Sequence, residues 1–344
     1  MRYKYKGFIK QNVAPKGATK IVVSDSNGNR IGTIPLGFLN RPTDIKLYSF
    51  GLLADIHCAG TNSPTKTFFD NALTYFEQQG CAFCCHAGDM TNIGFHEDTA
   101  EHAYNDYQFA EYKSVCDSHP NLPVYGCCGN HENYGVDITC CLNDLKTYAN
   151  IPSLYYSIEY NKDVFIFLSQ SRSYKPMPDE ALPWLEETLE SNKDKRCFVF
   201  VHPFIDNNDC GNPYNAYGGT TIFDSWGQTN KNSFINIMKQ YNTICFHGHS
   251  HFHPQLQEEI DNTNYSNFLG FHSVHVPACA YYRTVENGER VNYFDNGYGY
   301  VVDVYEKYII LNGFNTSTNE TLPIANFKID FSCKYWYRII VFWL

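Results

Sequence analysis

The stretch CFHGHSHFH, residues 245–253, places four histidines, His247, His249, His251 and His253, in seven consecutive positions of a chain that has 13 in all. It grows out of an apolar run, TICFHG (residues 243–248), and turns polar after Gly248. An apolar run that stops abruptly in polar groups reads as a buried strand whose end carries chemistry. The same ending recurs along the chain. FGLLA (residues 50–54) runs into Asp55, Ile56 and His57, and AFCCHA (residues 82–87) into Gly88 and Asp89. PVYGCC (residues 123–128) runs into Gly129, Asn130, His131 and Glu132, and CFVFV (residues 197–201) into His202. Ligands of α/β sheets bind at the carboxyl ends of strands, and five segments converge there.

Spacing and residue type both point to metal. In extended chain, residues i and i+2 share a side, so Asp55 with His57, and His249 with His251, are expected to face one point. Gly88, Gly129 and Gly248 are expected to let the backbone pass close to bulky ligands. Carboxylates, imidazoles and an amide oxygen, with no thiolate pattern among them, suit Mn, Fe or Zn rather than Ca.

The 344 residues, 43% hydrophobic and 16% aromatic, are enough for one large core. A formal charge of −10 argues against a nucleic-acid or anionic-membrane partner held by bulk charge. The N-terminal MRYKYKGFIKQNVAPKG has no apolar core of a signal peptide, and no stretch reaches the ~20 apolar residues of a membrane span. The expected location is therefore cytoplasmic. The 14 cysteines, three vicinal pairs among them, then read as small buried hydrophobes, and the sequons at Asn264, Asn315 and Asn319 carry no meaning.

Three segments are expected: a small N-terminal β module over residues 1–45, a catalytic domain over 46–332, and an apolar tail over 333–344. In the first, TKIVVSDSNGNRIGTIPL (residues 19–36) reads as two strands around a Gly/Asn turn. The second alternates strand and helix. SPTKTFFDNALTYFEQQG (residues 63–80) has an N-cap Ser, Pro at the first helical position and a closing Gly. A long helical stretch, residues 96–120, is stopped by Pro120, LYYSIEY and VFIFLSQ form a hairpin, DEALPWLEETLES (residues 179–191) is helical, and YGYVVDVYE and YIILNGF make a late antiparallel pair. The class is α/β, with a mixed sheet or two packed sheets flanked by helices.

The ordered set DxH, GD, GNHE, H and GHxH, over residues 47–315, resembles the calcineurin-like metallophosphoesterase superfamily. The resemblance implies a four-layer α/β/β/α sandwich and a dinuclear-metal hydrolase that cleaves phosphoester bonds by attack of a metal-bridged hydroxide. It implies two divalent or trivalent ions (Mn, Fe or Zn), one on Asp55, His57, Asp89 and His251, the other on Asp89, Asn130, His202 and His249. Asp89 would bridge them. Asn130 and His131 would hold phosphoryl oxygens, and His131 would protonate the leaving group, oriented by Asp98 or Glu132. His247 and His253 would be supporting neighbours. Glu132 stands where the family often has Asp, as in purple acid phosphatases, but Asn92 stands where those enzymes have a metal-binding Tyr, and His202-Pro203 shortens the usual HxP. The alternative is a catalytically silent scaffold or binding module in a larger assembly, and the N-terminal module would target the enzyme itself to such an assembly.

The loops expected around the site are residues 58–66, 91–99, 132–137 and 205–230, the last, which carries Trp226, either a substrate lid or a wall packed against the core. They contain Lys66 and otherwise little positive charge, but include Asn92, Tyr134, Tyr214, Tyr217 and Trp226. Such groups suit a small phosphoester, a diester rather than a monoester or a polynucleotide.

Overall fold

The computed structural model describes residues 20–24, 30–35, 45–58, 64–92, 99–132, 142–170, 176–203, 226–251, 265–266, 269–286 and 289–331. The chain divides into two compact units, Met1–Ile45 and Lys46–Leu344. In the first, β1 (Lys20–Ser24) and β2 (Arg30–Pro35) pair antiparallel with an irregularity between Val23 and Ser24. The tail 333–344, and Asp98, Tyr134, Tyr214, Tyr217 and His253, lie outside the described residues.

The second unit is built on two six-stranded mixed sheets. In one, β3 (Tyr48–Leu53), β4 (Cys84–His86) and β5 (Val124–Gly126) run parallel. Beside β3 lie β14 (Tyr298–Val304), β15 (Tyr308–Asn315) and β16 (Phe327–Asp330), all antiparallel to their neighbours. In the other, β7 (Asp163–Leu168), β8 (Arg196–Val201), β9 (Thr243–His247) and β11 (His272–His275) run parallel. Its edges are the antiparallel β6 (Tyr155–Tyr160) and β10 (Tyr265–Ser266). A separate hairpin, β12 (Tyr282–Glu286) with β13 (Glu289–Tyr293), is inserted before β14.

Strand alternation builds the layers. In β7 and β8, Phe165, Phe167, Phe198 and Phe200 join the core shared with the first sheet, while Val164, Ile166, Leu168, Cys197, Val199 and Val201 join a second core. Between the sheets, Phe50 of β3 meets Phe165, Phe198 and Phe246 edge-on at ring-centroid distances of 5.3, 5.5 and 6.4 Å. The second core is covered by α4 (Ala181–Ser191) and α5 (Gln228–Gln240) through Leu185, Leu189, Phe234 and Met238. The first sheet's outer face is covered by α1 (Pro64–Gln78), with α2 (Thr99–Ser118) and the short α3 (Leu142–Tyr148) beyond. Gly51 shows how close α1 comes, since a Cβ there would stand 2.3 Å from the Phe76 ring. The four layers are helices, sheet, sheet, helices, as the resemblance implies.

Trp226 belongs to this packing rather than to a substrate lid. It is buried in the second core and its indole N–H donates to Asp179 at 2.9 Å, so an indole expected at the site is part of a wall. Cys81 and Cys84 stand at C-x-x-C spacing, yet both are buried and free. Burial pushes the Cys81 thiol up to about 12 and raises that of Cys84 as well, the opposite of the depressed thiol of a redox pair.

At the amino ends of the strands the sheets are clamped by charge. Asp163, first residue of β7, accepts from Arg196 Nε at 3.0 Å, from Arg196 Nη2 and from the Tyr48 hydroxyl, both at 2.5 Å. Arg196 Nη1 reaches the Tyr305 carbonyl beyond β14 at 2.8 Å. Arg196→Ala should leave a buried carboxylate uncompensated and destabilise the domain by ~3–5 kcal/mol. Denaturant unfolding checks this, and a change below ~1 kcal/mol would mean that the clamp carries little of the sheet-to-sheet docking.

Candidate metal centre

At the opposite, carboxyl end of the parallel strands, the two sheets bring their polar termini together. The ladder of β3 and β4 continues past the strands, with Asp55 N–H donating to the Gly88 carbonyl and His57 N–H to that of Asp89, both at 3.0 Å. From the second sheet, Gly248 N–H donates to the His202 carbonyl at 3.0 Å. The sheets are joined by the Asp55 carboxylate, which accepts the His249 N–H at 2.9 and 3.1 Å.

Asp55, His57, Asp89 and His251 are buried and offer donor atoms within 4.8 Å of one another, as do Asp89, His202 and His249. Asp89 belongs to both groups. In the first, His251 Nε2 lies 2.9 Å from Asp55 Oδ1 and 3.1 Å from His57 Nε2. In the second, His202 Nε2 and His249 Nδ1 both face Asn130 Oδ1, at 3.0 and 2.9 Å. The structure therefore brings together all seven residues expected to hold metal.

The donor set fits a pair of cations. Asp89 Oδ2 is buried and makes no hydrogen bond, although His202 Nε2 stands 3.0 Å away and the Nε2 atoms of His57 and His131 each 3.8 Å. A carboxylate oxygen ringed by imidazole nitrogens out of hydrogen-bonding alignment is the arrangement that a shared cation would satisfy. His202 Nδ1 donates to the Ala87 carbonyl at 2.8 Å, which aims its Nε2 at the site.

Without metal the cluster balances its own charge. Burial opposes a charge on His202, but the adjacent Asp89 overrides it and holds the imidazole up at about 9. Burial likewise opposes ionisation of Asp89, and His202 and His131 override it, so its carboxyl sits well below the usual range. For His57 and His249, Asp89 and Asp55 act in the same sense but do not outweigh burial. Burial and neighbouring histidines push both down, His249 to about 3, which leaves them neutral and able to act as ligands.

The backbone differs from the extended geometry expected from i, i+2 spacing. Asp55, His57, Asp89, His249 and His251 all have positive φ, between 52° and 72°. The side chains converge because alternate residues turn left-handed, each at a cost of ~1–3 kcal/mol that the surroundings must hold in place. The glycines also do something other than expected. A Cβ on Gly129 would stand 2.1 Å from Asp89 Oδ1, one on Gly248 2.4 Å from Asp55 Oδ2, and one on Gly88 2.6 Å from His202 Nδ1. They make room for the donor side chains themselves.

His131 differs from the donors around it in being 22% exposed, against 1% or less for Asp55, His57, Asp89 and His202. Its N–H donates to Asp89 Oδ1 at 2.9 Å, and its Nδ1 donates to the Asn92 carbonyl at 2.5 Å. The expectation that Glu132 orients His131 is corrected. Glu132 instead accepts from the N–H groups of Asp89, Thr91 and Gly129 and from the Thr91 hydroxyl, at 2.7–3.1 Å. It ties the Asp89 loop to the Asn130 loop. Burial and the Asp89 charge push its carboxyl up to about 7.

Sequence reasoning also missed His275, at the end of β11. The Ser250 hydroxyl, between His249 and His251, meets His275 Nε2 at 2.5 Å. The His247 ring lies 5.6 Å from the His275 ring, so His247 supports this turn rather than joining the donors. The segment ending in His275, HSVH, carries His272 and Ser273 and runs on into apolar Val276, so it lacked the form of the strand ends already noted.

The family model for calcineurin-like phosphoesterase matches residues 48–253, more than half of the chain and every donor named above. Among solved structures, a dimetal phosphatase from Danio rerio is similar with a TM-score of 0.57 at 13% identity, over 83% of this chain and 100% of that one. GAP50, the anchor in the inner membrane complex of Plasmodium, is similar with a TM-score of 0.50 at 14% identity, over 82% of this chain and 88% of that one. At these identities the likeness is one of fold. No curated protein sequence matches the chain. On the match of the family model, borne out by the layered sheets, the chain belongs to the calcineurin-like phosphoesterase family.

Proposed function

We propose that the chain is a metal-dependent phosphoesterase acting on a small phosphoester. One observation carries the reading, namely two groups of carboxylate and imidazole donors that share Asp89, with the Asn130 oxygen beside the second. Asp55, His57, Asp89 and His251 would hold one cation, and Asp89, Asn130, His202 and His249 the other. When bound, such a pair clamps phosphoryl oxygens and lowers the pKa of water toward ~7.

The chain's own groups supply the rest. His131 Nδ1 is held by Asn92, so Nε2 is the atom that faces the pocket, and its partial exposure lets it meet substrate. There it can hold a phosphoryl oxygen as charge redistributes, or give a proton to the leaving alkoxide. The oxygen of Asn130 faces His202 and His249, which leaves its NH2 group to donate to substrate. The turns through His249 and Asp89 are fixed by backbone hydrogen bonds, so the donors need little reordering to bind metal. A silent scaffold remains the competing reading, and the complete donor set counts against it, because loss of catalysis removes any reason to keep a buried carboxylate among five imidazoles.

Charge supports an ester with one negative charge. Lys66, expected in a loop, stands in the first turn of α1 and lies 4.0 Å from Glu111, turned toward it. Among the described residues near the donors, few positive groups other than bound metal would then meet the second charge of a monoester. We place the substrate among small diesters, with bulk charge of −10 arguing against a polynucleotide.

Asp89→Asn should reduce metal content and activity together, because one residue serves both groups of donors. His131→Ala should keep metal content near that of the parent and lower kcat by ~10²–10⁴-fold. Elemental analysis alongside steady-state kinetics separates the two, and a His131→Ala protein that loses its metal would contradict the role given to it. On substrates, a bis-aryl phosphodiester should show kcat/KM at least equal to that of the matching monoester at one pH and one metal. A hundredfold preference for the monoester, ~2.7 kcal/mol in the transition state, would move the assignment to a phosphomonoesterase.

A further inference from the structure

One group of aromatic side chains beside the donors has no part in the function so far described. Tyr281 follows directly on a segment anchored to the site. Cys279 N–H donates to the Ala54 carbonyl at 2.8 Å and Ala280 N–H to that of Asp55 at 3.1 Å. The Tyr281 ring lies 4.4 Å from the His251 ring and 5.7 Å from the His57 ring. From Tyr281 the chain enters the β12–β13 hairpin and returns at Phe294, because Tyr282 pairs with Tyr293. The Phe294 ring lies 4.9 Å from Tyr281, tilted by 37°, and is 60% exposed.

A run of rings therefore leads from two metal-facing imidazoles, through Tyr281, to an aromatic face in water. A lone exposed Phe needs no explanation. This one is fixed at the base of a hairpin whose neighbouring strand segment is bonded to the backbone of Asp55, one ring away from the donors. Gly297 keeps that base tight, since a Cβ there would stand 1.8 Å from the Cys279 carbonyl oxygen. A phosphoester with its phosphoryl group at the donors would bring an organic substituent, across a linker such as a ribose, onto this face. Stacking on aromatic rings accepts any planar π-system and adds no charge, which suits a site with little positive charge nearby.

Building on the phosphoesterase reading, we propose that Tyr281 and Phe294 form a stacking platform for a planar aromatic group of the substrate, and so that the substrate is an aromatic phosphoester, a nucleoside ester or an aryl ester. The platform selects what binds. It does not take part in the chemical step.

The test compares the 5′-methylphosphate diester of adenosine with the 5-methylphosphate diester of ribose, which differ only in the base. Calorimetric binding to the Mn-loaded His131→Ala protein should favour the adenosine ester by about tenfold, ~1.4 kcal/mol. Phe294→Ala and Tyr281→Leu should each abolish most of that preference, and Tyr281→Phe should keep it. In turnover, Phe294→Ala in the otherwise native protein should raise KM for the adenosine ester with kcat little changed, and leave kcat/KM for the ribose ester as it was. A structural defect would lower both substrates alike. Phenyl and methyl esters of glycerol phosphate form the second arm. An effect of the variants on the phenyl ester too assigns any aryl group, and an effect on the adenosine ester alone assigns a nucleoside. Equal binding of the adenosine and ribose esters, or a preference that survives both Phe294→Ala and Tyr281→Leu, overturns the platform even if both esters are hydrolysed. A base preference that depends on Tyr281 and Phe294, in a protein that hydrolyses neither ester, would keep the platform and remove the phosphoesterase.

Discussion

Asp89 carries a charge in a place where charge is costly, and much of the domain is arranged around that fact. Its carboxylate is 1% exposed, and its Oδ2 faces three imidazole nitrogens at 3.0–3.8 Å. A buried carboxylate with no partner would become protonated rather than stay ionised. Here the protonated His202 holds it ionised, and is itself kept protonated by that charge. Burial and the neighbouring histidines keep His57 and His249 neutral. His202 must give up its proton before that imidazole can bind metal, so metal uptake should release protons.

Holding such a cluster demands backbone that a strand alone does not provide. Five donor residues adopt left-handed φ, three others among the described non-glycine residues do so, and those three are all Asn. Asn, Asp and His tolerate that region better than most residues, yet five such turns gathered at one site mark stored strain. What opposes the strain comes from both sheets: the extended ladder of β3 and β4, the Asp55 carboxylate on the His249 N–H, Glu132 across the Asp89 and Asn130 loops, and Ser250 on His275. The aromatic layer between the sheets and the Arg196–Asp163 clamp at the far end fix the distance between these elements. Packing far from the chemistry therefore sets the spacing of the donors.

The parts of this arrangement that were legible in the sequence are those encoded within single segments. Apolar runs that stop at Asp55, Asp89, Asn130, His202 and His249 showed the strands, their polarity and the donors, and Pro64 and Pro120 marked helix ends as placed. What depends on contacts between segments was not legible. The left-handed turns follow from opposing strand ends having to meet at one point. The glycines leave room for side chains that lie far off in sequence, as Gly88 does for His202. Glu132 sits next to His131 in sequence but bonds to Asp89, Thr91 and Gly129. Trp226, in a polar loop by composition, packs under α4 and α5. The helix Gln228–Gln240 itself is polar on most positions, with Phe234, Ile237 and Met238 as its buried stripe, a pattern too sparse to stand out beside the surrounding Asn-rich chain.

The central claim is that two donor groups sharing Asp89 hold two cations. Equilibrium dialysis of chelator-stripped protein against Mn, followed by elemental analysis, measures it directly. The account predicts saturation near two metals per chain in the parent protein, with Asp89→Asn losing both sites together. Saturation at one metal, no uptake at all, or an Asp89→Asn protein that still binds two would contradict it.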